Sequence, residues 1–174
     1  KVEVLYNGEI TEVNTGMLTT AVIKGMLNPI MENEVNYVNA PGLAKERGIK
    51  VTEVKAKEVE DFANLITVKA MIGGKELTVQ GTLFGSEGRI VRINKFRVDV
   101  DPHARILVCP HINRPGVIGT VGTLLGANQI NISGMQVGKT ELEGTNLMVL
   151  TIDNDIPADV MEAVKAIDGI FDAK

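Results

Sequence analysis

Among 174 residues the chain has no tryptophan, two tyrosines, four phenylalanines, two histidines and one cysteine. Each scarcity closes a class of function. A lone thiol, Cys109, excludes an internal disulfide, a four-thiolate metal site and an iron–sulfur cluster held by this chain alone. A reducing, cytoplasmic compartment is the expectation. Aromatics at 3% leave few platforms for stacking single-stranded bases. With a net charge of −4 and dispersed Lys and Arg, the basic footprint of a nucleic-acid binder is missing too. No apolar run approaches the ~18 residues of a membrane span. KVEVLYNGEI at the start alternates like a strand and does not read as a secretion signal. No nucleic acid and no membrane are therefore expected as partners. Because the chain starts without Met, in what reads as mid-strand, it is expected to be a piece of a longer protein.

What is present is apolar and patterned. Apolar residues make up 44% of the chain, enough for one large domain or two small ones with real cores. The style of the sequence changes near VDVDPHA, residues 98–104, which places a domain boundary between 102 and 103. The first domain, 1–102, reads as a strand (KVEVLY), a helix capped by Asn14 or Thr15 with Leu18, Ala21, Val22, Gly25 and Met26 on its stripe, and a short helix in NAPGLAKERGI. Asn39 is the cap candidate of that short helix, with Pro41 in its first turn. Five strands follow: VTEVKAK, LITVKAMI, ELTVQGTLF, RIVRI and FRVDV.

The last two strands flank Asn94-Lys95, a two-residue hairpin loop. In that register Ile93 faces Phe96, Val91 faces Val98, and Arg89 lands on the apolar face opposite Val100. Two readings of Arg89 are open. It snorkels to water from a strand end, or, with Lys95, Arg97 and the helix N-terminus at Asn39, it makes a site for a phosphate or carboxylate.

The second domain, 103–174, has the order β-α-β-β-α-β. ARILVCPHI is a strand, and PGVIGTVGTLLGANQ a helix opened by Pro115 with Val117, Val121, Leu124 and Leu125 on its stripe. NISGMQVGK and TNLMVLTID are strands joined by TELEG, DIPADVMEAVKAI is a helix, and GIFDA a last strand. This is the split βαβ arrangement, two helices on one side of a four-stranded antiparallel sheet. Gly116, Gly119, Gly122 and Gly126 burden the first helix. At roughly 0.8–1 kcal/mol per interior glycine, the helix loses on the order of 3 kcal/mol unless close packing or a ligand returns it. Backbone or ligand is expected to approach there.

HINRPG, residues 111–116, joins the first strand to that helix. A helix N-terminus at Pro115-Gly116 presents unpaired N–H groups and the positive end of the dipole, which suits a carboxylate. His111, Asn113 and Asn131 add neutral donors and acceptors able to hold an ammonium or hydroxyl group. The interval between Asn113 and Asn131 fits a strand, helix and return, so all three side chains are expected at one edge of the sheet. The bland alternative is a loop asparagine bonding its own backbone and a strand histidine with one satisfied nitrogen.

His111 through IGTVGTLLGANQINI resembles the ACT domain. HINRPG followed by Asn131-Ile132 is similar to the version at the C-terminus of the D-3-phosphoglycerate dehydrogenase family. VNYVNAPGLAKERGI, VQGTLFG and RIVRIN resemble the intervening, allosteric-substrate-binding domain of that family's longer form. Together these stretches span nearly the whole chain. The resemblance implies an α+β protein: a mixed α/β anion-binding domain followed by a ferredoxin-like βαββαβ ACT domain. It further implies ACT domains paired edge to edge in a homodimer or tetramer, with L-serine bound at the junction as feedback inhibitor. His111 and Asn113 match the family's loop histidine and asparagine, and Asn131 the asparagine that reaches in from the partner subunit. In the intervening domain it implies phosphate or a phospho-hydroxyacid, with Arg89 where a basic residue is expected. Lys95 and Arg97 do not align cleanly with that pattern.

The family's catalytic part binds NAD, yet no G-x-G-x-x-G occurs in this chain, so no cofactor is expected on it and the parent would supply the oxidoreductase. Catalytic and metal roles are not expected either. His103 and His111 are the only histidines, Asp99 and Asp101 read as a solvated linker, and Cys109 lies mid-strand without an electropositive neighbour. Two alternatives keep the same domains: the regulatory subunit of an iron–sulfur L-serine dehydratase, and a free-standing amino-acid-sensing or assembly module.

Overall fold

A computed structural model describes residues 1–58, 61–139 and 144–174. The chain forms two compact units, Lys1–Gly88 and Arg89–Lys174. Among the described residues no helix is long and apolar enough to cross a membrane.

In the first unit, β1 (Val2–Gly8) turns Val2, Val4 and Tyr6 inward, as strict alternation requires. The strand is followed by α1 (Gly16–Leu27) and α2 (Ala40–Glu46), which return the chain to β2 (Val51–Ala56). That crossover makes β2 parallel to β1. β3 (Asn64–Ile72) and β4 (Lys75–Phe84) then add antiparallel strands on the other side. The resulting order is β2-β1-β3-β4. Helix α1 buries Thr19, Ile23 and Leu27, with Val22 and Met26 of the expected stripe partly buried against Val2, Val4 and Tyr6 and Leu18 exposed, so the buried face is turned from the expected one. The rotation has a polar cause: Thr19 Oγ1 lies 2.7 Å from the hydroxyl of buried Tyr6, and pairing these two groups turns the helix by about one residue.

The second unit opens with a hairpin, β5 (Glu87–Ile93) and β6 (Phe96–Val100), and continues with β7 (Ile106–Ile112), α3 (Val117–Ala127), β8 (Ile132–Lys139), β9 (Thr145–Ile152) and α4 (Ala158–Lys165). β9 lies between β7 and β8, antiparallel to both. Both its faces are buried. Met148, Leu150 and Ile152 join Leu107 and Cys109 in a core under α3 and α4, while Leu147 and Val149 pack with Phe96, Val98 and Val100 of the hairpin. The hairpin thus covers the face of this sheet that the helices leave bare, and packing divides the chain earlier than the change of sequence style at 102/103. Most of the expected TELEG connection, residues 140–143, lies outside the described residues.

The hairpin lies close against the sheet at Gly138. A Cβ there would stand 2.8 Å from both the Arg97 carbonyl oxygen and the Phe96 Cβ, so the position admits hydrogen alone. The glycines of α3 behave in the opposite way. Nothing in the described chain comes within 4 Å of a Cβ built at Gly119, Gly122 or Gly126, so the expected close approach is not made by this chain itself.

The expected last strand, GIFDA, is reduced to a bridge between His111 and Ile170 and a few bonds along β7. Val108 and Lys174 exchange both backbone hydrogen bonds, but Phe171 N–H donates to Pro110 O and Ile112 N–H to Gly169 O, one residue out of step. Pro110 has no N–H with which to continue the first register, so the ladder slips opposite it.

Candidate functional site

The end of β7 gathers the polar groups picked out in HINRPG. His111 is 1% exposed, on the helix side of the sheet with Cys109 and Leu107. Its Nδ1 lies 2.8 Å from the Ile112 carbonyl oxygen, and its Nε2 is buried without a hydrogen-bond partner among the described residues. Buried polar atoms are nearly always paired, so an orphan of this kind calls for a partner. Asn113 follows at the turn, its N–H donating to Gly144 O at 2.6 Å.

A residue absent from the sequence reading completes the group. Asn146, 5% exposed at the start of β9, stands directly opposite His111 in the β7–β9 register, and its Nδ2 donates to Asn113 Oδ1 at 3.0 Å. Its signal in the sequence was an amide inside TNLMVLTI, a strand apolar on both faces.

Helix α3 begins one residue beyond Pro115-Gly116. Gly116 is the N-cap with φ +93°, a left-handed conformation that glycine takes without penalty, and no side chain caps the first turn. The leading N–H groups of α3 therefore lack an intrahelical partner, at the positive end of the dipole. Arg114 closes the other flank: its Nη2 donates to Asp168 Oδ2 at 2.7 Å and to Asp168 O at 3.2 Å, clasping the turn to the segment after α4.

Asn131 is not brought to this place. It precedes β8 and donates from Nδ2 to Asp153 Oδ2 at 2.6 Å, at the far end of β9 from Asn146. The rise of a strand separates the two ends by about 20 Å. Antiparallel pairing of β8 with β9 makes this unavoidable within one chain, because the start of β8 must lie beside the end of β9. Only a second copy could bring an Asn131 to His111 and Asn113.

The basic residues of the hairpin are differently placed from the expected register. Ile93 faces Phe96 and Arg92 faces Arg97 as expected, but the register then shifts, with Val98 and Asp99 of β6 set against Val91 alone, and Val100 lies opposite Ile90. One extra residue in a strand shifts every partner beyond it. Arg89 is consequently not opposite Val100; its Nε lies 3.8 Å from Asp99 Oδ1. Lys95 Nζ sits 5.7 Å over the Phe96 ring, and Arg97 is engaged as well. Asn39, in the first unit, spends its side chain on its own turn: Oδ1 accepts from Asn36 N–H and Nδ2 donates to Glu34 O. Cys109 is sealed in the core, where burial, helped by the Asp172 carboxylate, pushes its thiol up to about 12.

Two family models match the chain: the D-3-phosphoglycerate dehydrogenase intervening domain over residues 1–94 and the ACT domain over residues 105–169. Curated relatives agree. The chain is 41% identical over 175 aligned residues to a D-3-phosphoglycerate dehydrogenase of Archaeoglobus fulgidus, covering 99% of this chain and 33% of the relative. Enzymes of the same name from Methanocaldococcus jannaschii and Bacillus subtilis are each 36% identical over 99% of the chain and 33% of their own length. The chain thus spans about a third of the length of the relatives it matches.

Proposed function

Because the chain belongs to the D-3-phosphoglycerate dehydrogenase intervening-domain family and joins that domain to an ACT domain, we propose that it is the regulatory region of such an enzyme and binds L-serine at the end of β7 as a feedback signal. On this reading the NAD chemistry of the parent lies outside this chain, which spans 33% of the relative's length. One observation carries the proposal: the buried, unpartnered Nε2 of His111, beside Asn113 and the uncapped first turn of α3. A small zwitterion offers what these groups lack, oxygens for the helix N-terminus and protons for the ring nitrogen. Edge strand β8 leaves one side unpaired among the described residues. Pairing it with the β8 of a second copy brings that copy's Asn131 toward His111 and Asn113, so the site is complete only in the dimer or tetramer. Serine that binds the paired arrangement better shifts the equilibrium toward it, with a coupling of about 1–3 kcal/mol typical of such linkage.

Calorimetric titration of the chain with L-serine, glycine and branched amino acids tests this reading. Saturable heat from L-serine, accompanied by a dimer in sedimentation, is the expected result. No heat from any amino acid would leave only an assembly role.

A further inference from the structure

The polar group at the end of β7 has a definite polarity, which elementary hydrogen-bond chemistry fixes. A carbonyl oxygen only accepts, so the 2.8 Å contact between His111 Nδ1 and Ile112 O places the ring proton on Nδ1. In the neutral ring Nε2 is then an acceptor, and this is the atom that lacks a partner among the described residues. Asn113 is fixed just as firmly. Its Oδ1 accepts from Asn146 Nδ2 at 3.0 Å, so its own Nδ2, with two protons, is turned the other way. Asn146 is held in turn by its place in the ladder directly across from His111 and by its burial.

We propose that Asn146 is a specificity-determining positioning residue of the effector site: by holding the Asn113 amide with its N–H groups outward, it makes the pocket a matched donor and acceptor. This rests on the reading of the site as an amino-acid pocket. Asn113 Nδ2 takes a carboxylate oxygen of the ligand, and His111 Nε2 takes a proton from its ammonium or hydroxyl group. The ligand class is thereby a small amino acid with a free carboxylate. A ligand whose acid end has become an amide keeps one acceptor oxygen, so its NH2 group must meet either Asn113 Nδ2 or the N–H groups that open α3, a donor against a donor.

Parallel titrations of the chain with L-serine and L-serinamide, as wild type, Asn146→Asp and Asn146→Ser, test the inference. The wild type should prefer L-serine by at least roughly tenfold, the discrimination expected when one buried hydrogen bond is matched or mismatched. In Asn146→Asp the new carboxylate can only accept, so Asn113 must donate to it and present Oδ1 to the ligand. Preference should then fall about tenfold or reverse. Asn146→Ser adds no charge and is too short to hold Asn113, so it should bring the two ligands toward equal affinity without reversal. An unchanged ratio in both variants, with both ligands weakened alike, would reduce Asn146 to a structural residue and overturn the inference while leaving serine binding intact. A wild-type chain that binds neither ligand would overturn the amino-acid reading itself. Nitrogen-15 spectra of the imidazole supply a readout independent of any ligand: the proton of His111 on Nδ1 supports the assignment, and on Nε2 overturns it.

Discussion

Two polar patches of the second unit invite comparison: the end of β7 and the β5–β6 hairpin. Both were conspicuous in the sequence, one as HINRPG and the other as a cluster of Arg89, Lys95 and Arg97. In the folded chain the hairpin's charges lie near complementary groups, Asp99 for Arg89 and the Phe96 ring for Lys95, although Arg89 Nε is itself buried and its 3.8 Å approach to Asp99 Oδ1 is too long for a hydrogen bond. At the end of β7 the buried Nε2 of His111 finds none among the described residues. The difference teaches that a buried polar atom is easier to account for beside an opposite charge of its own chain than with no partner at all. Arg89 Nε keeps the attraction of a nearby carboxylate, whereas His111 Nε2 has no hydrogen-bond partner among the described residues.

The sharpest probe of that contrast uses the same strand. Cys109 lies two residues before His111 on the same face, yet deep in the core, and its thiol is raised from 9.0 to about 12. Near neutral pH its thiolate should be about a thousandfold scarcer than that of a free cysteine, and reaction with a disulfide reagent slower in proportion. Fast reaction in the native chain would mean that this face opens well beyond His111. The sign for stability follows. The folded state favours the neutral thiol, so this contribution is complete below pH 9 and lost as pH rises toward 12, by up to about 1.4 kcal/mol per pH unit. Urea unfolding between pH 8 and 11 reads it.

Next in size is the direct comparison of the patches. His111→Ala should weaken L-serine binding by roughly ten- to a hundredfold, the worth of a hydrogen bond to a charged group. Arg89→Ala should leave it unchanged and lower stability by less than about 1 kcal/mol. Equal effects on serine would erase the distinction. A phosphate titration that fails only in Arg89→Ala would restore the hairpin as an anion site.

Glycine offers a third pair, in stability and of opposite sign. Gly138→Ala should destabilise the second unit by about 1–3 kcal/mol, because the hairpin backbone occupies the space of the methyl group. Gly122→Ala should instead stabilise a monomeric chain by up to about 1 kcal/mol, since α3 has room there. If thermal melting showed the second substitution to be harmful, another copy would have to pack on that helix face.

Much of the second unit was legible because its elements follow simple periods. β7, α3, β8, β9 and α4 appear where apolar spacing places them, and Pro115 and Gly116 announce the start of α3. What escaped depends on register. The extra residue in β6 that moves Arg89 away from Val100 leaves no mark on the alternation of FRVDV. Asn131 looked near His111 by count of residues, but pairing sends it to the opposite end of β9. Asn146 was passed over because position along a strand says nothing of what stands across from it. Gly138 gave no signal of its own, since a glycine's need for space is set by a neighbour from another part of the chain.

Pro110 acts as a phase marker for the segment that lies along its strand. By strict alternation Ile170 and Ala173, three residues apart, would point to opposite sides of the sheet. The slip opposite the missing donor resets that parity, and both side chains close the core beneath α3 and α4 while Phe171 turns outward. One ring nitrogen that cannot donate therefore decides which way the final residues face.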